Sequence, residues 1–539
     1  MSHCTPFIAR KTRFYHTACK CVAFAMMIAG PLSGQQAAPE NPRFYIREYR
    51  VDGVKVLKNL EVEEAVYPFL GPSRTPDDVE QARQTLEKAY HAKGFQTVSV
   101  SIPQQDPRRG IIRLQVTEGK IARLRVNGSR WFLPSRIKSE VPSVAEGSVP
   151  NFNNVTKEII GVNRLADRRI TPELKAGMEP GTFDVDLKVE DKLPLHGSLE
   201  LNNRYSANTT QLRINGSLSY ANLFQLGHTL GTSFQIAPEN IDDSLSYSAF
   251  YLARVTDGLS LMLQGTKQDS NVSTLGGAAV AGAGEIVGFR ALFDLPTTQK
   301  FYQSINLGID YKNLQEDTIF GIQKLAAPII YFPISANYSA GWIADNHFTE
   351  VNASLGFQLR GLGSPLSDYA NKRYKSTGNY MLLRGDVAHT HDVFGDFQLY
   401  GKLQGQVADQ PLINSEQIAG GGLDTVRGYL EATALGDNGV FGKVEFRSPS
   451  LFGKPSAEEA KNPANELRFY TFSDAGIVGI YDALPGQDDS SPLASVGIGT
   501  RLRFQKHYHA SADVALPLIE QPDTNQGEIR VTFRGWADF

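Results

Sequence analysis

Cysteine is almost missing from this chain. Its 539 residues include three, Cys4, Cys19 and Cys21, all near the N-terminus. The rest of the chain therefore has no disulfide framework and no thiolate metal site. Long apolar runs are missing too. Beyond the N-terminal segment, no stretch approaches the ~18 apolar residues of a membrane-spanning helix. The longest candidate, Leu325 to Ile334, is interrupted by Pro328 and Pro333. Net charge is only -3, so there is no basic excess to recruit nucleic acid. No Gly-x-Ser-x-Gly nucleophile elbow occurs. Gly276 to Gly284 imitates a phosphate loop by glycine count alone, without the Lys-Ser/Thr or a following helix, and is expected to be a flexible loop. His389 and His391 put two imidazoles on one strand face, but no Cys or acidic cluster joins them. Asp488-Asp489 fits a polar turn and needs no calcium. No catalytic, cofactor-binding or metal residue is assigned, and the chain is not expected to be an enzyme.

What is present is alternation. From Gly197 onward helical periodicity disappears, and segments of period two follow one another between Gly, Asn, Asp and Ser. Leu212, Ile214, Gly216, Leu218 and Tyr220 alternate with Arg213, Asn215, Ser217 and Ser219. Leu230, Thr232, Phe234 and Ile236 repeat the pattern, as do Leu245, Tyr247, Ala249 and Tyr251. Such strands suit a wall with lipid on one side and a wet lumen on the other. They also average out in a hydropathy scan, which explains a mean hydropathy of -0.26. A strand and loop every ~20 residues predicts about 16 strands over 197–539, an even number as closed bacterial barrels require. Closure matters because an open edge in lipid leaves backbone groups unpaired. At the end of the chain, Ile529, Val531, Phe533, Gly535, Ala537 and Phe539 alternate with Glu528, Arg530, Thr532, Arg534, Trp536 and Asp538. This terminal strand, closing on Phe539, resembles the C-terminal assembly signal of outer-membrane barrels, with Phe533 and Phe539 as its aromatic anchors.

The N-terminus carries Arg10, Lys11, Arg13 and Lys20, then the short apolar run Cys21 to Gly30, then small residues. That order predicts a secretory signal peptide over 1–38. Between it and the barrel lie two mixed α/β stretches. In 44–119, Tyr45 to Val56 predicts two strands around the turn Asp52-Gly53. Thr75, Pro76, Asp77 and Asp78 mark a helix start. Val79, Ala82, Leu86, Ala89 and Tyr90 give that helix one apolar face, and Gly94 ends it. Val98, Val100 and Ile102, then Ile112, Leu114 and Val116, alternate as strands. The stretch 120–194 repeats the plan loosely. Ala122, Leu124 and Val126 alternate, Leu133 to Val141 predicts a short helix, and Asn153 is placed to cap a second one. Ile170 to Ala176 and Val185 to Val189 close the unit as strands.

The densest signal is GGGLDTVRGY, Gly420 to Tyr429, followed by Phe472-Ser-Asp474-Ala-Gly476. A guanidinium and a carboxylate in β-like surroundings are natural partners for a buried bidentate pair. VRGY with FSDAG resembles the superfamily of outer-membrane assembly and secretion barrels. There the VRGY loop folds back into the barrel and its arginine meets an aspartate on the inner wall. The YHAKGF segment followed by two strands resembles a POTRA domain, a periplasmic module that binds unfolded chains. The stretch 120–194 is similar to a second one. Two such domains, and a barrel opening on LELNNRYSANTTQLRINGSLSYANLFQLGHTL, are similar to two-partner secretion transporters, the haemolysin secretion/activation and filamentous-haemagglutinin transporter family.

The resemblance implies α+β periplasmic domains ahead of an all-β outer-membrane barrel, and export of a partner exoprotein without nucleotide hydrolysis. It implies Val426, Arg427, Gly428 and Tyr429 as a functional loop at 420–437, with Asp474 and Gly476 on the inner wall. Implied partners are the unfolded exoprotein, the lipid bilayer, and the barrel-assembly machinery and periplasmic chaperones during biogenesis. Only Gln35 to Arg43 separates the signal from the first strand, so the plug helix of many relatives is not expected. A barrel-assembly insertase and a passive porin are the rival readings. Five POTRA units would favour the first, and absence of VRGY and periplasmic domains the second.

Overall fold

The computed structural model describes residues 43–270, 273–275, 278–280, 283–320, 323–452 and 464–539. The expected signal peptide at 1–38, its three cysteines and the question of a plug helix at 35–42 lie outside the described residues. The chain forms two compact units. Of the described residues, one takes in those up to Ala92 with Val98–Glu118, and the other takes in Lys93–Thr97 with those from Gly119 onward.

In the first unit, the helix Pro76–Ala92 buries Val79, Ala82, Leu86 and Tyr90 against the sheet residues Val98, Val100, Ile112, Leu114 and Val116. Asp78 Oδ2 accepts from the Thr75 backbone N–H at 2.8 Å and completes the helix start. The two N-terminal strands depart from expectation. Phe44–Ile46 and Glu48–Asp52 both precede the Gly53 turn and join different sheets. The first pairs with Gly71–Arg74, and the second runs parallel to Ile111–Glu118. Ile102 lies outside its strand, which ends at Ser101 just before Pro103, a residue with no N–H to offer. Glu118 ties the unit together. Its Oε1 accepts from Lys55 N at 2.8 Å, Val56 N at 2.9 Å and the Tyr90 hydroxyl at 3.0 Å. Burial, and then that bond to Glu118, push the Tyr90 hydroxyl above its ordinary pKa.

Residues 120–191 repeat the plan with one strand parallel and one antiparallel to a central strand. Thr182–Asp191 lies between Lys120–Asn127 and Arg168–Ala176. A bulge between Ile121 and Arg123 turns Ile121 inward and leaves Ala122 exposed, reversing the expected face at that position. The helix Phe152–Val162 is capped by Asn151, not Asn153; the Asn151 side chain accepts from the N–H groups of 153 and 154. Val155, Val162, Ile170 and Leu187 meet in its core.

From Leu195 the chain closes into an antiparallel barrel. Among the described residues the ring has sixteen strands once Gln323–Tyr331 and Ile334–Ile343 are counted as one, since both pair with Phe301–Phe320. That strand breaks at Pro333, which cannot donate to the ladder. The ring closes where Arg530–Asp538 pairs with Leu195–Asn202. Leu199, Leu230, Leu263, Leu383, Leu403 and Ile498 project outward and are 48–60% exposed. A soluble wall would not leave such a band uncovered. No helix among the described residues is long and apolar enough to cross a membrane. One barrel end has tight turns, including 224–227, 257–258 and 344–346. The other end carries the long connections, including 358–380 and 409–437. In the glycine-rich segment, Ser273–Leu275 pairs with Ala278–Val280, so the described part is a small ribbon, not a featureless loop.

Candidate functional site: a loop seated in the barrel

The connection 409–437 does not stay at the barrel mouth. Its short strands Ile418–Gly420 and Ala434–Gly436 pair with each other, and the turn between them descends against the inner wall. Gly421 and Gly422 make this possible, with φ of 101° and 85°. A Cβ on Gly421 would collide with the Leu430 carbonyl, and one on Gly422 with the Glu431 carboxylate. Arg204, which follows the strand Leu195–Asn202, clamps the turn through Asp424 and Glu431, with Nε 2.7 Å from Glu431 and Nη2 2.5 Å from Asp424.

At the tip, Arg427 is 2% exposed. It donates through Nε to Asp474 Oδ2 at 2.7 Å and through Nη2 to Asp474 Oδ1 at 2.8 Å. Its backbone N–H adds a third bond to the same carboxylate at 3.1 Å. This is a fork on a carboxylate, the geometry an ammonium cannot copy. Nη1 then reaches Glu445 at 2.8 Å and Asp513 at 3.3 Å. The guanidinium carbon lies 3.6 Å from the centre of the Phe472 ring, a cation–π contact. Burial opposes the charge on Arg427, and the bonds to Asp474, Glu445 and Asp513 offset that cost.

The neighbours of Arg427 are seated just as firmly. Val426 is fully buried with Phe441, Val478 and Leu493. Gly428 has φ of 91°, and a Cβ there would press on Ala515 at 3.2 Å. The Tyr429 hydroxyl lies 2.9 Å from the Ala494 carbonyl and 2.8 Å from that of Ile519. Gly476 has a different task. Phe441 lies directly across it on the neighbouring strand, and a Cβ would run into that ring and sit 2.7 Å from the Val440 carbonyl. Phe533 and Phe539 are on the outer face, 36% and 65% exposed, away from the loop. Phe539 makes both backbone bonds with Gly197, and its ring covers that glycine.

With this geometry in hand, known proteins give the context. The model of a family described as haemolysin secretion/activation protein ShlB/FhaC/HecB matches residues 181–502, more than half of the chain. The chain belongs to that family. Residues 44–119 match the POTRA domain of ShlB type. The outer membrane transporter CdiB of Dickeya dadantii is 22% identical over 451 residues, covering 78% of this chain and 75% of that one. The heme/hemopexin transporter protein HuxB of Haemophilus influenzae is 20% identical over 484 residues, covering 86% and 82%. Among solved structures, CdiB from Escherichia coli superposes with a TM-score of 0.60 at 18% identity, covering 94% of this chain and 93% of that one. BamA from Haemophilus ducreyi lacking POTRA domains 1–3 gives 0.56 at 14% identity, covering 92% and 100%. These two likenesses concern the fold. The protein is an outer-membrane β-barrel with an N-terminal POTRA domain, as the sequence led us to expect.

The fold brings Arg427 and Asp474 together from 47 residues apart. It also adds partners that the motifs did not name: Glu445, Asp513 and the Tyr470 hydroxyl, which donates to Asp513 at 2.7 Å. Glu445 is further held by Arg447 at 2.7 Å and Arg501 at 3.1 Å. A signal for them exists in the sequence. Lys443, Glu445 and Arg447 alternate with the outward Val444 and Phe446, so a charged face lines the lumen. Beneath the loop this face borders a cavity of about 540 Å³ lined by Lys402, Lys443, Arg468, Arg501 and Arg534 among others.

Proposed function

We propose that the chain passes a partner exoprotein, unfolded, from periplasm to cell surface, and that the seated VRGY loop controls the path. The observation that carries this reading is the loop tip itself. A segment that enters from the long-loop end, held by a buried arginine among three carboxylates, occupies lumen space that a translocating chain would need. A passive porin has no use for such a tip or for a POTRA domain. In this reading residues 1–38 are a signal peptide, 44–119 and 120–194 are two POTRA domains, and 197–539 is the barrel. The POTRA pair captures cargo as an added strand, with alternate side chains in shallow pockets. No NTP-binding motif is present in the sequence, so folding of cargo outside is the source of direction. Activation of the cargo during passage would be part of the same role.

The test is co-production with a candidate secreted exoprotein, measuring cargo in the medium at matched outer-membrane levels. Export is expected with the parent and lost with Arg427→Ala. Equal export by both would remove the loop from the mechanism. Impaired assembly of unrelated outer-membrane barrels on depletion of the chain, with cargo export unaffected, would favour the insertase.

A further inference from the structure

Three of the ten histidines of this chain meet on the outside of the barrel. His347 opens the strand His347–Phe357, and His389 and His391 lie near the end of Met381–Asp392. The two strands are paired, with His347 opposite His391 and Thr349 opposite His389. The three ring centres are 5.7, 6.0 and 5.9 Å apart. Their positions share the face of Leu355, Leu383 and Val387, which are 37%, 55% and 43% exposed on the outer wall. The opposite parity faces the lumen, where Asn352 donates to Asp386. The cluster sits beside the turn 344–346, at the tight-turn end of the barrel, where the apolar band gives way to water. Trp342, paired with Thr349 and 42% exposed, marks the same level.

Nothing in translocation uses three imidazoles on the lipid-facing side. Two of them, however, already have one ring nitrogen beside an oxygen. The Nδ1 of His347 lies 3.0 Å from Asn346 Oδ1, an acceptor, so Nδ1 carries the proton and Nε2 keeps its lone pair. The Nδ1 of His389 lies 2.8 Å from the Thr349 hydroxyl, which can accept in the same way. Holding the far nitrogen by an oxygen is how metal-binding histidines are fixed. Two histidines two residues apart on one strand, with a third across from one of them, offer three donors from one patch and leave a fourth position open. The rings now lie nearly parallel, 17–33° between planes, and among the described residues no three such groups already converge on a point. Rotation about the side-chain bonds of partly exposed residues is enough to aim them.

We propose that His347, His389 and His391 form a site for a divalent transition metal of the zinc, nickel or copper class, open to the periplasmic side of the outer membrane.

The test uses the full mature chain, free of any histidine tag, in detergent micelles. Cobalt(II) absorption and zinc titration calorimetry should report about one ion per chain. His347→Ala and His391→Ala, made separately, should each abolish binding, whereas His228→Ala, remote from the cluster, should bind like the parent. Thr349→Val should weaken binding roughly tenfold through loss of the Nδ1 contact. Heat-modifiable migration confirms that each variant is folded. A parent that binds neither ion, or a His347→Ala or His391→Ala variant that binds as the parent does, overturns the proposal.

Discussion

Arg427→Ala should release the loop while leaving the barrel closed, and the contacts give the size of the effect. Removing one side of a buried ion pair costs about 3–5 kcal/mol, because the other side is left charged and dry. Here the stranded group is Asp474, which loses both side-chain bonds from Arg427 and keeps only the backbone N–H of residue 427. Glu445 keeps Arg447 and Arg501, and Asp513 keeps Tyr470, so neither is orphaned. The loss corresponds to a roughly 150- to 5000-fold shift toward the unseated loop. Asp474→Ala should cost less, about 1.5–3 kcal/mol, since Arg427 still holds Glu445 and Asp513. The double variant should be no worse than Arg427→Ala alone, because no orphaned carboxylate remains. Arg427→Lys should fall between the parent and Arg427→Ala, having lost the fork.

The natural chain carries no cysteine after Cys21, which makes the measurement clean. Thr425 is 8% exposed in the seated loop, so a Thr425→Cys reporter should label slowly with a hydrophilic maleimide. Its rate in each background reads the unseated fraction. If Arg427→Ala labels within about threefold of the parent, or if the two single effects multiply in the double variant, the Arg427–Asp474 contact does not seat the loop. VRGY would then act through another contact.

Three further outcomes follow from the same contacts. Gly476→Val should cut the yield of heat-modifiable barrel sharply, since its side chain would occupy the Phe441 ring position; Gly476→Val with Phe441→Ala should recover part of it, and no recovery would discard this packing account. Phe539→Asp should lower assembled protein in isolated outer membranes without altering cleavage of the proposed signal peptide, because a charge replaces the ring over Gly197 on the lipid-facing side; unchanged levels would refute the terminal-strand role. Deleting Phe44 to Pro194 should leave a barrel that inserts but exports nothing, since strand pairing from Leu195 onward closes without those residues; persistent export would remove the capture role from the N-terminal domains.

Much of this protein is determined by local pattern. Period two along strands such as Arg213–Leu223 and Arg530–Asp538 dictates a two-faced wall, because successive side chains must point to opposite sides. The helix Pro76–Ala92 announces itself through Thr75, Pro76 and a 3.6-residue apolar stripe, all local properties. The motif pair VRGY and FSDAG was enough to nominate Arg427 and Asp474. Where the sequence misled, a single residue of register was decisive. The bulge at Ile121–Arg123 inverted the face of Ala122, and a bulge depends on the partner strand, not on the residues that carry it. Asn151 and Asn153 are equally good caps, and only the path of the chain chose between them. The network around Arg427 was decided at the tertiary level. Glu445, Asp474 and Asp513 lie on three different strands, and Phe472 faces Glu445 only because the register sets it there. The same holds for His347 beside His389 and His391. The sequence showed a pair, and strand pairing across the 358–380 connection supplied the third. Strand register couples residues far apart in the chain, and no window of sequence contains it.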